Sequence, residues 1–160
     1  MSDLDNANDE RQLVVFELSH GNYGVDIGTV REINRMQEIT SLPGTPQHIL
    51  GVINLRGRVV PVVDLRRRFG LTVSDFTPAS RIVVVDIGGR DIGVVVDGVD
   101  EVLRVPAAAL APPVGVGADA EAAYITNIVK LPDRLIILLD MNAALGEDGA
   151  LDMQAMPAAA

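Results

Sequence analysis

The sequence contains no cysteine and no tryptophan, and it has only three Phe and two Tyr residues. Without cysteine, a disulfide framework, a thiolate metal site and a cysteine nucleophile are all excluded. With so few aromatic residues, the core must be built from Val, Ile and Leu, which favour strands. The same scarcity removes the stacking surfaces that single-stranded nucleic acids use. The composition therefore predicts an all-β protein.

Long apolar runs and excess basic charge are also missing. The formal net charge of -9 repels phosphate backbones, so nucleic acid is not an expected partner. No apolar run approaches the ~18 residues of a membrane span. The N-terminal stretch MSDLDNANDE is acidic where a signal peptide would be basic. We therefore expect a cytoplasmic protein that does not insert into the membrane.

What the sequence does contain is an internal repeat. Residues 13–36 align without a gap on residues 82–105. Farther along, RVVPVVDLRRRFG from Arg58 aligns with RLIILLDMNAALG from Arg134. The identities that valine-rich strands do not explain by chance are Gly24 with Gly93, Glu32 with Glu101 and Arg35 with Arg104. The chain is therefore interpreted as two copies of one unit.

Each unit contains five short predicted strands. A strand is followed by a glycine turn, HGN in one copy and GGR in the other, then by two more extended segments and a last hairpin. Five strands are too few for a sandwich and indicate a small closed barrel. The repeat predicts one barrel over about 12–72 and another over about 80–146, packed face to face because their strands are apolar on both sides.

The last strand of each unit ends in a pattern typical of a short helix. Asp64 or Asp140 would cap the helix at its N-terminus, and Gly70 or Gly146 would end it. Between Asp64 and Gly70, the three arginines at 66–68 are most simply a solvated face. Pro61 lacks an N–H group, which predicts that its strand is an edge at that point.

No set of residues indicates an active site. His20 and His48 are the only histidines, and neither has a neighbour at metal-ligand spacing. The GVGADAE stretch from Gly115 lacks the lysine of a phosphate-binding loop. The carboxylates are spread over turns and strand ends: Asp26, Glu32, Asp86, Asp97, Asp100 and Glu101. We therefore predict no enzymatic activity, no cofactor and no metal.

The stretch NLRG, Asn54 to Gly57, differs between the two units. The second copy has NIVKLPD at the corresponding place, without the Arg-Gly pair. A feature found in only one repeat is a candidate for function, which makes Arg56 the residue most expected to contact a partner.

Four segments together resemble the chemotaxis coupling-protein family, the CheW-like domain. They are YGVDIGTVREI, ILGVINLRGRVVPVVDLRRRFGL, IGVVVDGVDEVL and DRLIILLDM, in order between about residues 12 and 145. The resemblance implies two small five-stranded SH3-like barrels with short helices. It also implies a non-enzymatic scaffold that joins the cytoplasmic tip of chemoreceptors to the regulatory domain of the chemotaxis histidine kinase, beneath membrane receptor arrays.

The resemblance further implies where the partners bind. The receptor-binding residues would be Ile27, Val30, Glu32, Ile33, Arg56 and Gly57. They would form an apolar trough for a receptor helix, with Arg56 and Glu32 at its rim. The kinase contact would include Val116, where relatives can carry an aromatic anchor. Ile27, Val30 and Ile33 could equally belong partly to the core, and Glu32 could have a structural role that it shares with Glu101.

Two alternative functions and the domain limits complete the predictions. The chain could be a CheW-like domain cut from a larger kinase or receiver fusion, or a small-molecule-binding double barrel. We expect the domain to cover residues 11–148. Residues 1–10 and the tail 149–160 lack apolar periodicity and are expected to be disordered.

Overall fold

The structure is a computed structural model that describes residues 10–113 and 124–145. Most of these residues lie in strands, which confirms the all-β prediction. The strands are β1 (Arg11–Leu18), β2 (Gly21–Asp26), β3 (Val30–Arg35), β4 (Ile49–Leu55), β5 (Arg58–Asp64), β6 (Arg81–Ile87), β7 (Arg90–Val96), β8 (Gly98–Val105), β9 (Leu110–Ala111), β10 (Ile125–Lys130) and β11 (Leu135–Leu139). Short helical segments cover Ile27–Thr29, Leu65–Arg68, Ala107–Ala109 and Met141–Leu145. Residues 1–9 and 149–160 of the predicted disordered ends lie outside the described residues, as do Val116 and Gly146.

Two-residue turns connect the first hairpin of each repeat. In the second repeat the turn consists of Gly88 and Gly89, with φ angles of 59° and 88°. In the first repeat the turn residues are Ser19 and His20, with φ angles of 47° and 72°, and Gly21 already belongs to β2. The turn therefore begins one residue earlier than the predicted HGN turn, and its two residues are Ser19 and His20.

The strands form two sheets, and each sheet combines both repeats. The six-stranded first sheet has the order β8-β1-β2-β11-β10-β9, and the five-stranded second sheet has the order β3-β6-β7-β5-β4. The first hairpin of each repeat therefore pairs with the later strands of the other repeat. The predicted boundaries at 12–72 and 80–146 separate the two copies in the sequence, but neither range forms a barrel by itself.

Both sheets are closed by a chain segment that reaches the opposite edge. In the first sheet, β8 ends at Val105 and β9 begins at Leu110 on the other edge. In the second sheet, β3 ends at Arg35, and Thr40 forms a bridge with Val52 of β4 through hydrogen bonds of 2.8 and 2.9 Å. So few connecting residues span at most ~15 to 20 Å, which brings the edges of each sheet together as a barrel.

The described residues contain three apolar clusters. One lies inside the first barrel and includes Leu13, Val15 and Ile136, and another lies inside the second barrel and includes Val62 and Val84. The largest cluster lies between the barrels: Val14, Phe16, Leu18, Val25, Ile49, Val63, Leu65, Val83, Val85, Ile87, Ile92, Val94, Val96, Tyr124, Leu139, Met141, Ala144 and Leu145. Successive residues of β1 and β6 therefore face different clusters, as strands that are apolar on both sides require.

The repeat glycines Gly24 and Gly93 lie where one repeat joins the other in parallel. Gly24 pairs with Leu138, and Gly93 pairs with Val62. A Cβ atom on Gly93 would lie 2.9 Å from the Cγ2 atom of Ile82, which is closer than real Cβ contacts. Close packing where the two repeats pair in parallel therefore explains why both equivalent positions carry glycine.

The predicted aspartate caps are present at both short helices. The Oδ1 atom of Asp64 accepts a hydrogen bond from the Arg66 N–H group at 3.0 Å, and Asp140 accepts one from the Ala143 N–H group at 3.2 Å. The solvated face predicted for the three arginines is wrong for Arg66, which is 1% exposed. Its guanidinium group binds Asp64 as a buried ion pair, which removes both charges from water together.

Pro61 lies in β5, and the pairing of this strand agrees with an edge at that point. Strand β5 lies between β7 and β4, so it is an inner strand of the second sheet. Its parallel pairing with β7 begins only at Val62. Pro61 therefore lies just before that ladder, where its missing N–H group removes no hydrogen bond to β7.

Candidate functional site

The Asn54 to Gly57 stretch forms the turn between β4 and β5. Leu55 pairs with Arg58, so Arg56 and Gly57 are the two turn residues, with φ angles of 52° and 86°. Two positive φ angles are typical of a type I′ turn, for which glycine is favoured. The side-chain Oδ1 atom of Asn54 accepts a hydrogen bond from the Gly57 N–H group at 2.8 Å. This local geometry places Arg56 at the tip of its hairpin.

Arg56 forms an ion pair with Glu32 of β3. Its Nη1 atom donates to Glu32 Oε1 at 3.2 Å, and its Nη2 atom donates to Glu32 Oε2. The Arg56 side chain is 64% exposed and that of Glu32 is 26% exposed. The hydrogen bond from Arg56 is the largest cause that lowers the pKa of Glu32, while partial burial opposes it and a hydrogen bond from Asn34 adds to it. Glu32 therefore remains ionised at neutral pH.

The two sides of β3 separate the predicted receptor-binding residues. Ile33 pairs with Val83 of the cluster between the barrels, whereas Glu32 pairs with Val84 inside the second barrel. Directly paired residues point to the same side of a sheet. Ile33 therefore lies on the side of the shared core, and the Glu32–Arg56 pair lies on the other side of the strand.

The apolar members of the predicted site differ in exposure. Ile27 is 38% exposed and Ile33 is 39% exposed, whereas Val30 is partly buried against the shared core. Ile27 belongs to the short helical segment that leads into β3. The structure thus brings Arg56, Gly57 and Glu32 together at one end of the second barrel, with Ile27 and Ile33 as exposed apolar side chains of the adjoining segment.

Arg134 binds a glutamate in the first barrel as Arg56 does in the second. It donates from Nη1 to Asp100 Oδ2 at 2.7 Å and from Nη2 to Glu101, the repeat counterpart of Glu32. Arg134 lies at the turn between β10 and β11, the last hairpin of its repeat. Each barrel therefore links its last hairpin to the same glutamate position, although the arginines come from different alignment positions. Alignment alone missed this correspondence.

A small apolar cleft between the barrels contains none of the predicted residues. It encloses about 140 Å³ and is lined by Tyr23, Phe69, Leu71, Tyr124, Ile125, Ile137 and Leu139. Burial raises the pKa of Tyr23, so its hydroxyl stays protonated. The volume is below the ~300 Å³ at which small-molecule pockets begin. The sequence signal for the cleft was weak, since it consists of three scarce aromatic residues far apart in the chain.

The described residues include neither a metal-ligand cluster nor a membrane-spanning helix. Residues 10–113 and 124–145 contain no group of three or more His, Asp or Glu side chains arranged to hold a metal ion. In the same part of the chain, no helix has the length and apolar character needed to cross a membrane. Val116, the predicted kinase contact, lies outside the described residues.

Comparison with known proteins identifies the family. The CheW-like domain model matches residues 12–148. The chain is 33% identical over 138 residues to the chemotaxis protein CheW of Klebsiella aerogenes, covering 86% of this chain and 83% of the relative. It is 34% identical over 140 residues to the chemotaxis protein CheW of Bacillus subtilis, covering 87% and 89%.

A solved structure agrees with the sequence relatives. The scaffolding protein TtCheW of Thermoanaerobacter tengcongensis has a TM-score of 0.79 and 37% sequence identity, covering 87% of this chain and 94% of that one. The exchanged barrels, the Arg-Gly turn and the family match over nearly the whole chain lead to one conclusion. This chain belongs to the CheW-like domain family.

Proposed function

We propose that this chain is a non-enzymatic adaptor that couples the cytoplasmic tips of chemoreceptors to the regulatory domain of a chemotaxis histidine kinase. The observation that carries the proposal is the CheW-like match over residues 12–148, which includes the Arg56–Gly57 turn and its partner strand β3. Proteins of this family are scaffolds rather than enzymes. The adaptor would act in the cytoplasm, at membrane receptor arrays.

The receptor-binding surface that we propose combines apolar and charged groups around β3. Ile27 and Ile33 would contact the apolar face of a receptor helix, with Val30 supporting them from the partly buried position behind. Glu32 and Arg56, on the other side of β3, would contact polar groups of the same helix where it passes the end of the second barrel. The hydrogen bonds to Glu32 use two of the five N–H groups of Arg56.

The Glu32 ion pair supports a binding role for Arg56 because it limits the motion of a long exposed side chain. A guanidinium group held by a carboxylate loses less conformational entropy when it binds a second acceptor than a freely rotating one does. Gly57 permits the tight turn that directs Arg56 toward β3. The kinase contact would lie elsewhere and include Val116.

The test of this function is a pair of matched arginine substitutions. Arg56→Ala and Arg134→Ala each remove an arginine that binds the repeat-equivalent glutamate, Glu32 or Glu101. We expect Arg56→Ala to weaken binding of a receptor-tip fragment by about tenfold, because a charge-assisted contact is lost. Arg134→Ala should leave that affinity unchanged. Titration calorimetry against the receptor tip and the kinase regulatory domain measures both.

The kinase titration and a melting curve separate binding from stability. Kinase-domain affinity and melting temperature should stay close to those of the unsubstituted protein in both variants, since exposed ion pairs contribute little to stability. Arg56→Glu should weaken receptor binding more than Arg56→Ala because it adds repulsion. If the unsubstituted protein, Arg56→Ala and Arg56→Glu bound the receptor tip with equal affinity, the proposed receptor site would be refuted. Failure of the unsubstituted protein to bind either partner would refute the adaptor function itself.

A further inference from the structure

Arg66 lies at the centre of a buried polar network outside the proposed receptor site. Its Nε and Nη2 atoms each donate to a carboxylate oxygen of Asp64 at 3.1 Å. Its Nη1 atom donates to Asp97 Oδ1 at 3.0 Å and to the Ser74 carbonyl oxygen at 2.8 Å. The guanidinium carbon lies 5.0 Å from the ring centre of Phe76. One side chain thus fixes a helix start, a strand end and the segment between the repeats.

Asp97 extends the network to the first barrel. It lies between β7 of the second sheet and β8 of the first sheet, at the point where the chain passes from one barrel to the other. Its Oδ2 atom accepts a hydrogen bond from the Ser19 N–H group at 2.7 Å, and its own N–H group donates to the Glu17 carbonyl at 2.9 Å. The Ser19 hydroxyl in turn donates to the Thr72 carbonyl. The β1–β2 turn is therefore bound to the same network.

The linker between the repeats depends on these contacts. Residues 71–77 form no regular secondary structure. Their carbonyl groups at Thr72 and Ser74 are bound by Ser19 and Arg66, and the Leu71 N–H group donates to the Arg66 carbonyl at 2.8 Å. Leu71 also lines the cleft between the barrels. Without a strand or helix to order it, the linker relies on side-chain hydrogen bonds.

The positions that the internal repeat makes equivalent to Arg66 and Asp97 carry uncharged residues. The capping aspartate is retained, since Asp140 aligns with Asp64. Arg66, however, aligns with the exposed Asn142, and Asp97 aligns with Gly28. The second copy folds its strand and helix without an ion pair at this place. The Arg66–Asp97 pair is therefore not a requirement of the repeated unit, since neither charge is present at the equivalent place.

We propose that Arg66 and Asp97 form a latch that locks the 71–77 linker and the β1–β2 turn into the junction between the two barrels. A buried arginine is costly to desolvate and adds little net stability over an apolar side chain, but its planar donors fix several acceptors in one arrangement. The latch holds Leu71 in the wall of the cleft and determines how the two halves of the chain meet. This role is independent of the adaptor function.

Hydrogen exchange of the full chain, followed by mass spectrometry or NMR, tests the latch. We expect Arg66→Met to speed amide exchange at Leu71 and Ser19, whose N–H groups donate to Arg66 and Asp97, by at least about tenfold, because these segments open locally without their anchor. Exchange in β6 and β7 should be unchanged. Arg67→Met is the matched control, since Arg67 is exposed and only approaches Asp64 at 3.5 Å. It should leave the linker unaffected.

Two further variants keep the test decisive. Asp97→Asn leaves the Arg66–Asp64 pair in place and should also release the linker, so it replaces Arg66→Met if that variant does not fold. The double variant Arg66→Asn with Asp97→Gly introduces the residues of the repeat-equivalent positions, Asn142 and Gly28. Its linker exchange should equal that of the single variants if the pair acts as a unit. Unchanged linker exchange in Arg66→Met and Asp97→Asn, or equal acceleration throughout the chain, would overturn the proposal.

Discussion

Glu32 has two neighbours that act on its charge in the same direction. Arg56 donates to both of its carboxylate oxygens, and Asn34 donates to one of them at 3.3 Å. Hydrogen bonds to the ionised form favour that form, so the pKa of Glu32 is lowered in the folded protein. Because the folded-state pKa lies below the unfolded one, any stability from this pair is present above the unfolded pKa. It is lost as the pH falls through the folded pKa.

The pKa of Glu32 should therefore report on Arg56. In Arg56→Ala, we expect the pKa of the Glu32 carboxyl group to rise toward its ordinary value, because the largest cause of its depression is removed. A pH titration of the carboxyl carbon by NMR measures this. Arg134→Ala, which acts on the other barrel, should leave the pKa of Glu32 where it is. An unchanged pKa in Arg56→Ala would mean that the ion pair does not form in solution.

At the scale of elements, the closure of the second barrel depends on one glycine. Gly51 lies at an irregularity in the pairing of β4 with β5 and has a φ angle of 148°. A Cβ atom there would lie 2.0 Å from the carbonyl oxygen of Thr40, the residue that bridges to Val52. Backbone atoms on both sides leave no flexible group to move away. Only glycine lets the segment after β3 reach β4.

Gly51→Ala should open this closure. We expect it to lower the free energy of unfolding by about 2 kcal/mol or more, through backbone strain and loss of the Thr40 bridge. Gly28→Ala is the control, because a Cβ atom on Gly28 meets nothing within 4 Å. It should change stability by no more than about 0.5 kcal/mol. Urea unfolding of both variants gives the comparison, and equal values would show that the close approach is not rigid.

At the scale of the whole molecule, the two barrels are made by exchange between the repeats. The pairs β1 with β8, β2 with β11, β3 with β6 and β5 with β7 all join one repeat to the other. The largest apolar cluster also lies between the barrels. Neither half of the chain therefore contains a complete barrel or a complete core.

Cutting the chain between the repeats should show whether the barrels exchange strands or whether each repeat forms a barrel by itself. We expect fragments 1–76 and 77–160 to show no cooperative unfolding when each is alone, because each lacks the pairing strands of its barrels. Mixed together, they should recover strand content and a single transition. Circular dichroism during heating measures both states. A cooperative transition in either isolated fragment would contradict the exchange.

The sequence by itself determined the local features of this protein. The alignment of the two repeats located the equivalent hairpins and the equivalent glycines, Gly24 and Gly93. The aspartates at 64 and 140 indicated where the two short helices begin. Valine-rich strands that are apolar on both sides predicted an aliphatic core on two faces. These features depend on residues close together in the chain, so a local pattern is sufficient to identify them. The family resemblance rests on such local motifs as well.

Only the tertiary structure decided which repeat each hairpin joins and which arginine is buried. Strands with the same pattern in both copies can pair within a repeat or between repeats, and local pattern does not distinguish the two. Arg66, Arg67 and Arg68 look alike in sequence, but Arg66 is the one that is buried, and its acceptors include Asp97, 31 residues away. Likewise, the match between Arg56 and Arg134 exists in space and not in the alignment. These outcomes follow from contacts between distant segments, whose geometry is fixed when both barrels close around the shared core.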